Sequence, residues 1–376
     1  MKPKILIFSL AYAPLVGGAE VALHEITQRI QSFDFDLITA RFSRSDLPQE
    51  RIGNVMVYRV GFGSYLDKYL FFVLAYFKAL SLHRENHYQI VWAMLANYAG
   101  LGALLFKWTV RIKYYLTDQS GDSDSFIKKR TWFWLPLYKQ IYQRADRIQV
   151  ISHWLKERAR SYGYRGEIDL VPNGVDIGRF SQEISPAEKA TMLSQLSVKS
   201  DDKIIITVSR LVEKNGISDL IESLNYLDNQ YKLLILGQGK LSEELKLKAE
   251  NLKLTERVQF LGEKNHDEVV RYLNIAYVFI RPSLSEGFGN VFVEAMATGL
   301  PVIATSVGGI KDFLIDGETG LICNVNNPQS IAGQVKRLAA DESLRNKLIQ
   351  NGLALAKNYS WEAIAAQMNQ SLNKLL

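Results

Sequence analysis

The sequence is poor in the residues that staple a chain or bind a metal. Its 376 residues include one cysteine, five histidines and nine prolines. A lone Cys323 excludes a disulfide framework and any multi-cysteine metal site, and it reads as a buried strand residue within TGLICNV. Of the histidines, at positions 24, 83, 87, 153 and 266, only His83 and His87 lie one helical turn apart. Two ligands do not close a zinc site. Long hydrophobic runs are missing too. The longest, residues 69–77, is bounded by Lys68 and Lys78 and is far too short to span a bilayer. The opening KILIFSL is followed by Pro14, Gly17 and Gly18 where a cleavage site would stand, so it reads as a first strand and not a secretory signal. No short repeat or low-complexity tract occurs. These absences predict a soluble, intracellular protein of cytoplasmic location.

What is present is globular composition: 47% hydrophobic, 22% charged and 25 glycines, at a length suited to two domains. The net charge of +6 is unevenly placed. Residues 1–180 hold 24 Lys and Arg against 16 Asp and Glu, and the window 107–165 alone holds 13 against 5. That window also carries Trp132, Phe133, Trp134, Tyr138 and Tyr142. Basic residues interleaved with rings suit a membrane surface, an anionic lipid or a nucleic-acid backbone, and equally a solvated basic face beside an aromatic core.

Both halves alternate apolar strand-like runs with helical patterns. The first has KILIFSL, FDFDLITA, VMVYRV, QIVWAML, KYYLTD and RIQVIS; the second has KIIITVS, YKLLILG, VQFLG, YVFIRP and PVIAT. Apolar strands between helices predict parallel sheets covered on both faces. The expected fold class is α/β, two doubly wound domains with a cleft between them. The turn-rich LVPNGVDIGRF marks the boundary, giving domains 1–176 and 177–357. Such sheets take ligands beyond the carboxyl ends of their strands, and three places there carry chemistry. Gly17-Gly18, opening the first helix, leaves backbone N–H groups accessible to an anion, or simply makes a tight turn and cap. Arg210 and Lys214, in SRLVEKNG, could clamp a diphosphate or sit on a solvated loop. Glu286 and Glu294, in SEGFGNVFVEAMA, could hold sugar hydroxyls in pairs, with N–H groups of Gly287 to Asn290 beside them, or be turn and helix-surface residues.

Taken together, these segments resemble the retaining glycosyltransferases of family 4, with the two-domain GT-B fold. The pair Glu286 and Glu294 matches that family's E-x7-E signature, SRLVEKNGISDLI its Arg/Lys diphosphate element, PLVGGAE its glycine loop and VPNGVD its interdomain segment. The resemblance covers nearly the whole chain and implies an acceptor-binding N-terminal domain, a donor-binding C-terminal domain, and a last helix, within 358–376, that packs back on the first domain. It implies that Arg210 and Lys214 hold the donor diphosphate without a metal or other cofactor. Gly17 and Gly18 would complete that site. Glu286 with Gly287, Phe288, Gly289, Asn290 and Val291 would hold the donor sugar, Glu294 the ribose, and Gly262 would border the base. Catalysis would then rest on Glu286, Arg210 and Lys214. The implied reaction moves a sugar from a UDP- or GDP-linked donor to a hydroxyl of a saccharide or lipid-linked acceptor, with retention, in cell-surface polysaccharide, lipopolysaccharide or glycolipid synthesis. No nucleic-acid partner is expected. A histidine that many members carry is absent: KYYLTDQSGDSD offers Asp118 and Gln119, which with His153 are the acceptor-side candidates. The Arg-to-Lys spacing is also one residue shorter than in many relatives.

Other readings compete. Gly237-x-Gly239 begins a dinucleotide fingerprint whose third glycine is missing, the mark of an NAD-dependent oxidoreductase. Asp34-Phe35-Asp36 and Asp122-Ser123-Asp124 spell the D-x-D of metal-dependent transferases. A nucleotide-sugar 2-epimerase of the same fold needs acid and base groups that the sparse histidines do not supply. A sugar-nucleotide-binding protein without catalysis would not need all four of Arg210, Lys214, Glu286 and Glu294.

Overall fold

The computed structural model describes residues 2–14, 17–199 and 201–376. The chain forms two compact units, residues 1–174 with 361–376, and residues 175–360.

The first unit contains β1 (Lys4–Phe8), β2 (Asp34–Ala40), β3 (Gln49–Ile52), β4 (Val55–Val60), β5 (Ile90–Met94), β6 (Lys113–Asp118), β7 (Arg147–Val150) and β8 (Glu167–Leu170). They form one sheet in the order β3-β4-β2-β1-β5-β6-β7-β8, parallel except for the β3–β4 hairpin. The central strands are apolar on both sides because helices cover both faces, and Ile5, Ile7, Leu37 and Trp92 are wholly buried. The edge strands β3 (QERI) and β8 (EIDL) are polar, and no apolar run announces them. Gly53, left-handed at φ 56°, makes the tight turn that joins β3 to β4. The last helix, Trp361–Asn373, belongs to this unit, with Trp361, Ile364, Met368 and Leu372 in its core. Trp361 lies against Gly174, where a Cβ would come within 2.5 Å of the indole.

The second unit contains β9 (Lys203–Val208), β10 (Tyr231–Leu236), β11 (Val258–Gly262), β12 (Val278–Arg281), β13 (Val302–Thr305) and β14 (Leu321–Cys323). Its parallel sheet has the order β11-β10-β9-β12-β13-β14. Cys323 is a buried strand residue. In each unit the first strand is central and the chain reverses direction beside it, at β1–β5 and at β9–β12, which is where a doubly wound sheet opens a crevice at its carboxyl edge.

Among the described residues no helix is long and apolar enough to cross a membrane.

Candidate functional site

At the carboxyl edge of the second sheet four loops are tied together by backbone contacts. After β9 the chain runs through Ser209 and an exposed Arg210 into a short turn, Glu213–Asn215. The buried Asn215 amide donates to the Arg210 carbonyl at 2.7 Å, holding that loop on itself. Gly216, at φ 69°, sits where a Cβ would lie 2.1 Å from the Pro282 carbonyl. The Leu284 N–H donates to the Lys214 carbonyl at 2.7 Å. The loop bearing Arg210 and Lys214 is therefore fastened to the loop bearing Glu286.

The glycines 237 and 239 belong to the same fastening. A Cβ on Gly237 would strike the Ser209 carbonyl at 1.9 Å, and one on Gly239 the Leu211 carbonyl at 2.3 Å. The Gly237 N–H also donates to the Gly262 carbonyl at 2.7 Å. These glycines serve close approach of backbone to backbone, which accounts for the partial dinucleotide fingerprint. Gly262 has φ 71° but open space around it, its nearest neighbour being the Gln238 amide at 3.7 Å.

Arg281, the last residue of β12, sits fully buried at the centre of this edge. Its Nε donates to the Ser283 hydroxyl at 3.1 Å, its Nη2 pairs with the Glu286 carboxylate, and its Cζ stands 4.5 Å over the Phe292 ring. The second oxygen of Glu286 accepts the Gly287 N–H at 3.0 Å. The Glu286 carbonyl accepts the Gly309 N–H, and a Cβ on Gly308 would reach that carbonyl at 1.9 Å. Gly289, at φ 88°, starts the helix Asn290–Ala297, where a side chain would press on Phe292 and Arg281. Phe288 and Val291 face inward, Phe288 against Phe313 and Tyr359.

Glu294 stands half-buried in that helix. Burial pushes its carboxyl up to about 7, and the charge of Arg281 pulls the other way. Burial also lowers the pKa of the Arg281 guanidinium, opposed by Glu286 and Glu294 and reinforced by Arg210. One buried cation thus answers two carboxylates, and the exposed Arg210 is close enough for its charge to be felt. Reading the sequence missed Arg281, although a cation closing the apolar strand YVFIRP ahead of two glutamates was visible.

The first unit is built differently. Gly17 precedes the helix Gly18–Arg29 with extended backbone, and its N–H donates to Glu20 Oε2 at 2.9 Å. The Glu20 carboxylate thus satisfies the N–H just before the helix and places a negative charge at its start. A Cβ on Gly18 would meet nothing within 4 Å. Leu15 and Val16 of the PLVGGAE segment lie outside the described residues.

Asp118, an acceptor-side candidate in the sequence, is held inside the fold. It is wholly buried at the end of β6, accepting the Tyr142 hydroxyl at 2.9 Å and the Ser120 N–H at 3.1 Å. Burial raises its carboxyl, with Arg158 opposing. Its work is to hold the loop after β6, which Arg158 also braces through Asp124, Ser120 and Asp122. Gln119 accepts from Asn173 at 3.0 Å, and His153 is exposed at the start of the helix His153–Ser161. Of the two D-x-D pairs, Asp36 accepts from the Tyr88 hydroxyl and Asp124 pairs with Arg158. Among the described residues no group of three His, Cys, Asp or Glu could hold a metal.

Two family models match the chain: Glycosyltransferase Family 4 over residues 16–179 and Glycosyl transferases group 1 over residues 188–355. The uncharacterized glycosyltransferase MJ1178 of Methanocaldococcus jannaschii is 27% identical over 359 residues, 96% of this chain and 95% of its own length. The lipopolysaccharide core biosynthesis glycosyltransferase LpsE of Rhizobium meliloti is 30% identical over 230 residues, 61% of this chain and 64% of its own. Among solved structures, HepE of Anabaena in complex with UDP-glucose superposes with a TM-score of 0.81 at 21% identity over 99% of each chain, a likeness of fold. With two models of one family spanning nearly all of it, and carrying two Rossmann-like units of the GT-B type, the chain belongs to the family 4, group 1 glycosyltransferases.

Proposed function

We propose that this glycosyltransferase moves a sugar from a nucleotide-diphosphate donor to an acceptor hydroxyl with retention of configuration, and that it does so without a metal ion. The observation carrying this reading is the fastening of the Arg210–Lys214 loop to the Glu286 loop around buried Arg281. In this reading Arg210 and Lys214 neutralise the diphosphate as its bond to the anomeric carbon breaks, an electrostatic task that metal-dependent enzymes give to a divalent ion. Glu286 and the N–H groups of residues 287–290 hold the sugar hydroxyls, Glu294 accepts from the ribose, and Gly262 borders the base. The acceptor oxygen forms its bond on the face the leaving group departs from, and its proton passes to the leaving phosphate oxygen. No protein nucleophile is required.

The UDP-glucose held by HepE makes UDP-sugars the first donors to try. The part of LpsE in lipopolysaccharide core biosynthesis makes saccharides of that kind the first acceptors to try. The test is calorimetry with UDP, GDP, UDP-glucose and GDP-mannose in EDTA, for the native chain and Arg210→Ala. Binding of one nucleotide class that disappears in the variant supports the reading. Binding that requires a divalent ion, or that ignores Arg210, overturns it. The anomeric configuration of the product, read by NMR, decides retention.

A further inference from the structure

The helix Asp67–Asn86 is apolar on two opposite faces. Phe71, Ala75, Ala79 and Leu82 are buried against the first sheet, as the inner stripe of a covering helix should be. The other stripe, Leu66, Tyr69, Leu70, Val73 and Phe77, follows the same helical spacing and faces outward, with Phe77 63% exposed. A helix apolar on both faces is normally enclosed on both, yet among the described residues none covers this outer stripe.

The exposed stripe continues through a run of ring contacts. Tyr69 meets Tyr98 edge-on at 6.0 Å between centroids, and Tyr98 stacks on Trp134 with the planes 2° apart. Trp134 contacts Phe133, and Phe133 contacts Trp132. Those last two are 71% and 75% exposed. The basic aromatic window of residues 107–165 is thus divided by the fold. Tyr138 and Tyr142 are core, Trp134 is half-buried, and Trp132 and Phe133 project beside exposed Lys128, Lys129 and Arg130.

The charge around the stripe is mostly positive, the exposed Glu85 in the last turn of the helix being an exception. Residues 68–84 and 125–145 contain eight Lys and Arg (68, 78, 84, 128, 129, 130, 139, 144) and no Asp or Glu. Asp67, at the head of the helix, is buried and spent on the N–H groups of Phe62, Gly63 and Ser64. Lys68 lays its ammonium over the rings of Tyr65 and Tyr69, at 3.9 and 4.8 Å from their centroids. That arrangement keeps an apolar stem on the stripe and a charge at its margin. A second copy meeting this face across a twofold axis would set the same cations against each other. An anionic bilayer would match them, while the rings entered the boundary between headgroups and acyl chains.

We propose that the outward face of helix Asp67–Asn86, with the Trp132–Phe133 turn, docks on an anionic lipid bilayer, so that the acceptor is carried on a lipid. The docking stands on the surface alone; the statement about the acceptor rests on the transferase reading. Position supports that second part. The turn at residues 62–66 follows β4, Tyr98 follows β5 and residues 126–134 follow β6, so the docking face adjoins the carboxyl edge of the sheet, where ligands of such folds bind.

The test is co-sedimentation of the full chain with vesicles of phosphatidylcholine, pure or containing phosphatidylglycerol. Three proteins are compared: native, Val73→Asp/Phe77→Asp and Trp132→Ala/Phe133→Ala. Melting temperature and nucleotide binding are measured in parallel. The native chain should bind the anionic vesicles roughly tenfold better than the neutral ones. Each double variant should lose most of that binding while melting and binding nucleotide as the native chain does. Equal binding to both vesicles, or retention by both variants, overturns the docking. A native dimer that Val73→Asp/Phe77→Asp dissolves assigns the face to a second copy and also overturns it. Vesicle binding by a chain that binds no nucleotide leaves the docking standing and removes the transferase reading; the reverse pattern removes only the docking.

Discussion

At the carboxyl edge of the β9–β14 sheet a guanidinium is buried among two glutamates and a web of backbone carbonyls. Along the same edge of the β1–β8 sheet, and down the helix beside it, much of what faces outward is ring and hydrocarbon. Both units are doubly wound and both place their first strand in the middle, so the fold does not account for the contrast. On the readings proposed above, the difference follows from the kind of ligand each edge would meet. A small, highly charged ligand is best met by groups whose orientation is set beforehand, and the second unit achieves this with glycines that let loops touch. A large apolar surface needs area and a margin of cations, which the first unit provides without rigid geometry.

The contrast is most exposed to Arg281→Ala. Glu286 and Glu294 would then share a buried site with no counter-charge, and the loss of stability should be about 3–5 kcal/mol. A denaturation midpoint unchanged from the native chain would show that the second edge is not organised by charge. Next is Gly308→Ala. A Cβ there lies 1.9 Å from the Glu286 carbonyl, and φ is 52°. The strain should cost about 2–3 kcal/mol and displace Glu286, with nucleotide-sugar affinity falling more than that for nucleotide alone. Equal losses for the two ligands would remove Glu286 from the sugar.

Glu294 supplies a pH signature. Its carboxyl titrates near 7 in the folded chain against 4.5 unfolded. The folded state holds the proton more tightly, so its contribution is full below about pH 4.5, declines as pH rises to 7 and stays lost above. Glu294→Gln cannot titrate. It should match the native chain in acid and exceed it by about 1–3 kcal/mol at pH 8. A difference independent of pH would mean that the carboxyl ionises normally. The smallest expected effect lies on the other edge. Trp132→Ala/Phe133→Ala should alter stability by less than about 0.5 kcal/mol and leave nucleotide affinity unchanged, since both rings stand in the open.

The two edges were not equally legible in the sequence. Alternating apolar strands and helices announced both sheets, but QERI and EIDL are polar edge strands with nothing apolar to mark them. The second edge offered its candidate residues because its charged side chains follow strand ends at short spacing. Arg281 escaped because its significance lies in burial against Ser283, Glu286 and Phe292, which a string does not show, and Gly237 and Gly239 looked like a fingerprint because closeness of backbone is invisible in a string. Asp118 looked available because a strand-end carboxylate gives no sign of burial. The outer stripe of helix Asp67–Asn86 was hidden in a different way. A run such as YLFFVLAYF reads as core, and only the fold shows that one side of it has no neighbour.

The return of the last helix to the first unit has a consequence for synthesis. Residues 175–360 are all translated before residues 361–376, so the core of the first unit lacks Trp361, Ile364, Met368 and Leu372 until the whole of the second has been made. The half translated first is the half completed last. A chain cut after Ser360 would lose that helix and keep all of residues 175–360. The damage would fall on the unit encoded before them, whose core stays open until the segment after residue 360 arrives.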